Sequence, residues 1–320
     1  IDIRGGGVPS LAPLEALKEL ISLSVRETDL AVLSLQNMPK LVNLTLGDNQ
    51  IEKIQILKNL PSLHRVYLSN NRLTKMSGFD GLDNLEVIVS GGNRISTIEN
   101  LGRYKNLKKL TLAGSNIKHI DGLTGLLKLE DLNLVSQPIE DLSPIGELKA
   151  LKSLLLSRVK DVDLSPIGSL EKLEYLRIFN SPIESLDGIR ELPKLRELIV
   201  TEGELKHIGD LSKLTSLAEL DLTNNPLISM KGVGGLTSLK KLVLENTDIK
   251  KIEDLEHLSG LEKLVLTGSL IEKMEGLDGL TSLMDLMMSA TNISKIENYE
   301  NLTNLQFFSC RATPAIANEA

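Results

Sequence analysis

Tryptophan is absent from this chain of 320 residues, and cysteine occurs once, at Cys310. One thiol cannot form an internal disulfide, which suits a reducing compartment. Four Phe and four Tyr are the whole aromatic complement. Apolar burial should draw such side chains inside, so any aromatic at the surface is notable. No stretch approaches the roughly 20 apolar residues of a membrane span, and no secretory leader is visible at the start. The chain begins at Ile1 and not Met, so it reads as a fragment or a processed product. Its location stays open between the cytoplasm and a bacterial surface or secreted site. Positive charge is also short, with Lys and Arg at 36 against 43 Asp and Glu, a formal net charge of -7. That balance argues against nucleic acid, which needs clustered cations, and against an anionic membrane surface.

What the chain does have is a leucine every 22 residues: Leu41, Leu63, Leu85, Leu107, Leu129, Leu151 and onward to Leu305, with Leu20 one residue closer. A fixed period of this size means stacked units and not a closed globule. In the unit from Leu41 to Leu60, apolar residues fall at positions 1, 4, 6, 11, 14, 17 and 20, with Asn49 at position 9. Positions 4 and 6 of a short strand face the core, and 3, 5 and 7 face outward. The rest of each unit should return as turns and short helical pieces. Asn49, Asn71, Asn93 and Asn225 hold position 9, where an amide can satisfy buried turn groups; Thr28, Ser115, Ser181, Thr247, Ser269 and Thr291 replace it less completely. Ser90 falls on an inward position, and Val159 and Asp161 depart from the pattern in the Leu151 unit.

This spacing resembles the SDS22-like leucine-rich-repeat family, which includes phosphatase regulators and bacterial internalins. The resemblance covers residues 1–312. It implies an α/β leucine-rich-repeat solenoid, a curved horseshoe or arc. About 15 parallel strands would line its concave face, with 3-10 or helical turns on the convex face; the inner arc would be roughly 70 Å long. The expected organisation is one domain over 1–312: a partial repeat at 1–19, repeats at 20–304, a final strand at 305–312, and a tail at 313–320.

Chemistry is thin. His64, His119, His207 and His257 do not converge; His119 and His207 stand four repeats apart, roughly 20 Å. A metal needs ligands about 2 Å from one centre, so no metal site and no cofactor is expected. Cys310 falls on an inward position, where a thiol packs inertly. No catalytic residue emerges.

The outward strand positions carry the functional expectation. Leu155, Arg158, Tyr175, Arg177, Phe179 and Ile199 form an apolar and basic patch, beside Val135, with Glu197, Glu219 and Asp221 as a neighbouring acidic strip. A lesser patch is Tyr67, Val87 and Val89. Aromatic residues and Arg dominate binding hot spots. The expected function is therefore a non-catalytic module that binds a protein or peptide on the concave face. Tyr175 and Phe179 would be anchors, and Arg177 and Arg158 would pair acidic groups of the partner. Alternatives are an internalin-like adhesin binding a host receptor, a recruiting domain of a larger enzyme, and self-association through the same patch.

Overall fold

The computed structural model describes residues 1–99, 101–160, 163–189 and 191–314. The chain divides into two compact units, Ile1–Arg158 and Val159–Ala320.

In the first unit the strands are β1 (Asp2–Arg4), β2 (Ser22–Arg26), β3 (Val32–Gln36), β4 (Asn43–Thr45), β5 (Lys53–Lys58), β6 (Arg65–Tyr67), β7 (Val87–Val89), β8 (Lys109–Thr111), β9 (Asp131–Leu134) and β10 (Ser153–Ser157). All but β3 and β5 form one parallel sheet in chain order. The register advances by one repeat per strand: Leu44 lies beside Val66, Val66 beside Ile88, and Ile88 beside Leu110. These side chains are fully buried. The short Leu20 unit keeps the ladder, with Ser22 opposite Asn43. In the second unit β11 (Tyr175–Phe179), β12 (Glu197–Thr201), β13 (Glu219–Asp221), β14 (Lys241–Val243), β15 (Lys263–Val265), β16 (Asp285–Met287) and β17 (Phe307–Ser309) repeat the arrangement.

The spacing of leucines explains this architecture. Leu217, Leu220, Leu222, Leu227, Met230, Val233 and Leu236, one complete apolar set, are each 0% exposed. Each buried aliphatic side chain contributes roughly 1.5–3 kcal/mol. No unit closes its own core, so burial requires the next unit in the stack. The return segments contain short pieces such as the 3-10 turns Asp121–Leu123 and Ser143–Glu147 and the single α-helical turn Ser165–Gly168.

One stretch departs from the expected return side. β3 and β5 pair with each other there as a separate two-stranded parallel sheet, with a register shift between Leu33 and Ser34. In β3, Leu33 and Leu35 are buried while Val32, Ser34 and Gln36 are only half-buried. That two-residue period is a strand signal that overrides the turn pattern of later repeats.

Position 9 works as its chemistry dictates. Asn225 Nδ2 donates to Leu222 O at 3.0 Å in its own repeat and to Val200 O at 2.8 Å in the preceding one. Its Oδ1 accepts from Leu205 N at 3.2 Å. Asn71 and Asn93 do the same one and two repeats after Asn49. Thr247, Ser269 and Thr291 reach only their own repeat, donating to Leu244 O, Leu266 O and Met288 O. Gln137, fully buried, takes the role between these sets: Nε2 donates to Leu112 O at 2.5 Å and Oε1 accepts from Ile117 N at 2.8 Å. Ser115, in contrast, has a buried hydroxyl with no partner among the described residues. Ser90 is tolerated on its inward position because Asn93 Nδ2 donates to its Oγ at 3.1 Å. Val159 is buried in the Asn slot of its repeat. Asp161 lies outside the described residues.

Each strand is left through a residue with positive φ, commonly Asn, Asp or Gly: Asp48, Asn70, Gly92, Asn180 and Asn224 are examples. Gly268 suits this position on two counts. Its φ is 71°, and an added Cβ would stand 2.1 Å from Asn246 Oδ1.

Candidate functional site

On the first unit, the sequence-expected residues sit as strand alternation places them. Leu155 is half-buried on β10, opposite Asn133. Val135 is also half-buried. Arg158 follows β10 and is exposed, at the left-handed turn position with φ of 64°. Tyr67 lies directly beside Val89, and Arg65 beside Val87, so the lesser patch is contiguous and half-buried.

On the second unit, Tyr175, Arg177 and Phe179 all point outward from β11, while Leu176 and Ile178 between them are fully buried. Tyr175 is 38% exposed. Arg177 and Phe179 are half-buried. The register sets Tyr175 beside Glu197, Arg177 beside Ile199 and Phe179 beside Thr201. It then sets Glu197 beside Glu219 and Ile199 beside Asp221. Seven expected residues thus share one face of three adjacent strands.

The electrostatics of this face differ from a simple basic patch. Arg177 donates through Nε to Glu197 Oε1 and through Nη2 to Oε2, the latter at 3.1 Å. This hydrogen-bonded carboxylate, first among several influences, holds the guanidinium pKa above its ordinary value. Arg177 is therefore already paired within the chain. Glu219 in turn accepts from Lys241 Nζ at 2.5 Å. Asp221 Oδ1 accepts from Thr223 N at 3.0 Å and Thr223 Oγ1 at 2.6 Å.

The register also reveals an outward column that reading for aromatics misses. Ile199, Asp221, Val243, Val265 and Met287 are successive neighbours. Comparing position 5 across consecutive repeats would have found it. Val243 and Val265 are nonetheless only 6% exposed. Strands about 4.8 Å apart crowd the middle of the face, so outward direction and exposure are separate properties.

Other chemistry is sparse. Among the described residues no three His, Cys, Asp or Glu side chains are grouped to hold a metal. His119, His207 and His257 are exposed, and His64 Nδ1 lies 2.5 Å from Ser62 O. Cys310 is buried. Among the described residues no helix is long and apolar enough to cross a membrane.

The family described as leucine-rich repeats (2 copies) matches residues 61–103. No curated protein sequence matches the chain. Among solved structures, an internalin (inlF) from Listeria monocytogenes is similar, with 27% identity and a TM-score of 0.81; the match covers 92% of this chain and 88% of that one. A leucine-rich-repeat protein of Leptospira interrogans is 20% identical at a TM-score of 0.76, covering 97% of this chain and 95% of that one. The plant peptide hormone receptor RGFR1, solved in complex with RGF2, is 21% identical at a TM-score of 0.72, covering 98% of this chain and 54% of that one. No enzyme family is indicated by these similarities. The chain folds as a leucine-rich-repeat solenoid, and its structural neighbours include an internalin.

Proposed function

We propose that the chain is a non-catalytic interaction module that docks a protein or peptide on the outward strand face of its second unit. Tyr175 and Phe179 are the anchors, with Arg177 and Ile199 between and beside them. Glu197, Glu219 and Asp221 give the neighbouring strands their charge. One observation carries this reading: an aromatic–Arg–aromatic row on β11, with Tyr175 38% exposed in a chain that has only four Tyr. Rigid aromatic rings beside a held guanidinium are the composition of a hot spot. The module needs no cofactor and no metal.

A second reading follows from the similarity to the Listeria internalin over 92% of the chain. In it, the chain is a bacterial surface or secreted adhesin, and the occupant of the face is a host receptor.

The test is an alanine scan of β11–β13 against a binder selected from a displayed random-peptide library. Tyr175→Ala or Phe179→Ala should weaken binding by about 2 kcal/mol with unfolding unchanged. A scan in which both substitutions are silent removes the reading.

A further inference from the structure

We propose that the face formed by β11–β14 takes a cationic, extended peptide segment, with basic side chains at alternate positions reaching Asp221 and Glu245. This rests on the docking reading above and names the chemistry of its occupant.

The charge on this face is unbalanced. On the outward positions of these strands the cations are Arg177 and Lys241, and each is held by a carboxylate of the same face, Glu197 and Glu219 respectively. Asp221 and Glu245 have no cationic partner among the described residues. Asp221 receives hydrogen bonds only from Thr223, both on Oδ1. A partner carboxylate would have to draw Arg177 away from Glu197, whereas a partner cation meets open negative charge.

Geometry fixes the spacing. Asp221 lies beside Val243 in the register, and Glu245 follows Val243 by two residues on the outward side. One strand across and two residues along is roughly 8 Å. Side chains at alternate positions of an extended segment are about 7 Å apart, so two basic residues match the two carboxylates. Ile199, next to Asp221 in the same column but on the side away from Glu245, offers apolar contact where the segment continues past Asp221. Tyr175 offers a ring face to a further cation.

The experiment uses the full chain and two displayed random-peptide libraries. One fixes two arginines at alternate positions, and the other fixes two glutamates there. The arginine library should yield binders, and their affinity should fall about tenfold or more in the Asp221→Asn/Glu245→Gln protein and weaken with added salt. Enrichment from the glutamate library overturns the inference. So do arginine-library binders that ignore the two neutralising substitutions. If those binders still lose affinity in Tyr175→Ala, the docking reading stands and only the charge assignment fails. Absence of binders from both libraries, or binders indifferent to every substitution, overturns both.

Discussion

Arg177 and Glu197 are joined diagonally across neighbouring strands, with Nε and Nη2 of the guanidinium each meeting a different carboxylate oxygen. Their side chains are 39% and 15% exposed, so water screens the pair only in part. A double-mutant cycle of Arg177→Ala and Glu197→Ala, read by urea unfolding, should give a coupling of about 0.5–1 kcal/mol. Additive effects would show that the guanidinium is not held.

The ladder at position 9 makes a graded prediction. Asn225→Ala removes bonds in two repeats and leaves the Leu205 amide and the Val200 carbonyl without this partner. It should cost about 2–3 kcal/mol. Ser269→Ala removes one bond, to Leu266 O at 2.7 Å, and should cost about 1 kcal/mol. Ser115→Ala deletes a hydroxyl that bonds none of the described residues and should be neutral or slightly stabilising. Chemical denaturation of the three proteins checks the order.

Strand alternation predicts opposite outcomes at adjacent residues. Leu176→Asp places an unpartnered carboxylate in the core, where the native side chain is 0% exposed, and should cost about 4 kcal/mol or more. Tyr175→Ala, one residue earlier, should leave the circular dichroism spectrum and the unfolding midpoint close to native.

Acid sensitivity follows from Glu86. Its carboxyl is held below its ordinary value of 4.5, chiefly by the hydrogen bond from Lys108. A depressed pKa contributes stability that is present above the unfolded value and lost as pH falls through the folded one. The stability gap between the native chain and Glu86→Gln should be full at neutral pH and close in acid. Thermal melts across that range measure it, and a gap that widens on acidification contradicts the assignment.

Much of this was legible in the leucine spacing, because a 22-residue period leaves one side of each short strand for the core. The outward direction of Tyr175, Arg177 and Phe179 follows from it directly. The pairing of Arg177 was not legible, since its partner stands one repeat on and two positions back, a diagonal that apolar periodicity does not mark. Gln137 was hidden because its amide sits one methylene further out than that of Asn yet reaches the same backbone groups. The β3–β5 sheet escaped because the repeat imposes its own return-side spacing, which masks the alternation of Leu33 and Leu35. The low exposure of Val243 and Val265 depends on crowding by neighbouring strands, which no single repeat contains.

Thiol labelling tests the central claim most directly. In a Cys310→Ser background, cysteine is placed singly at 175, 176, 177, 178 and 179, and the rate of maleimide reaction is measured on the folded protein. Cysteines at 175, 177 and 179 should react readily, while those at 176 and 178 should be protected until the chain unfolds. Equal rates along the row, or protection at 175 and 177, would contradict a solvent-facing row on β11 and remove the basis for docking there.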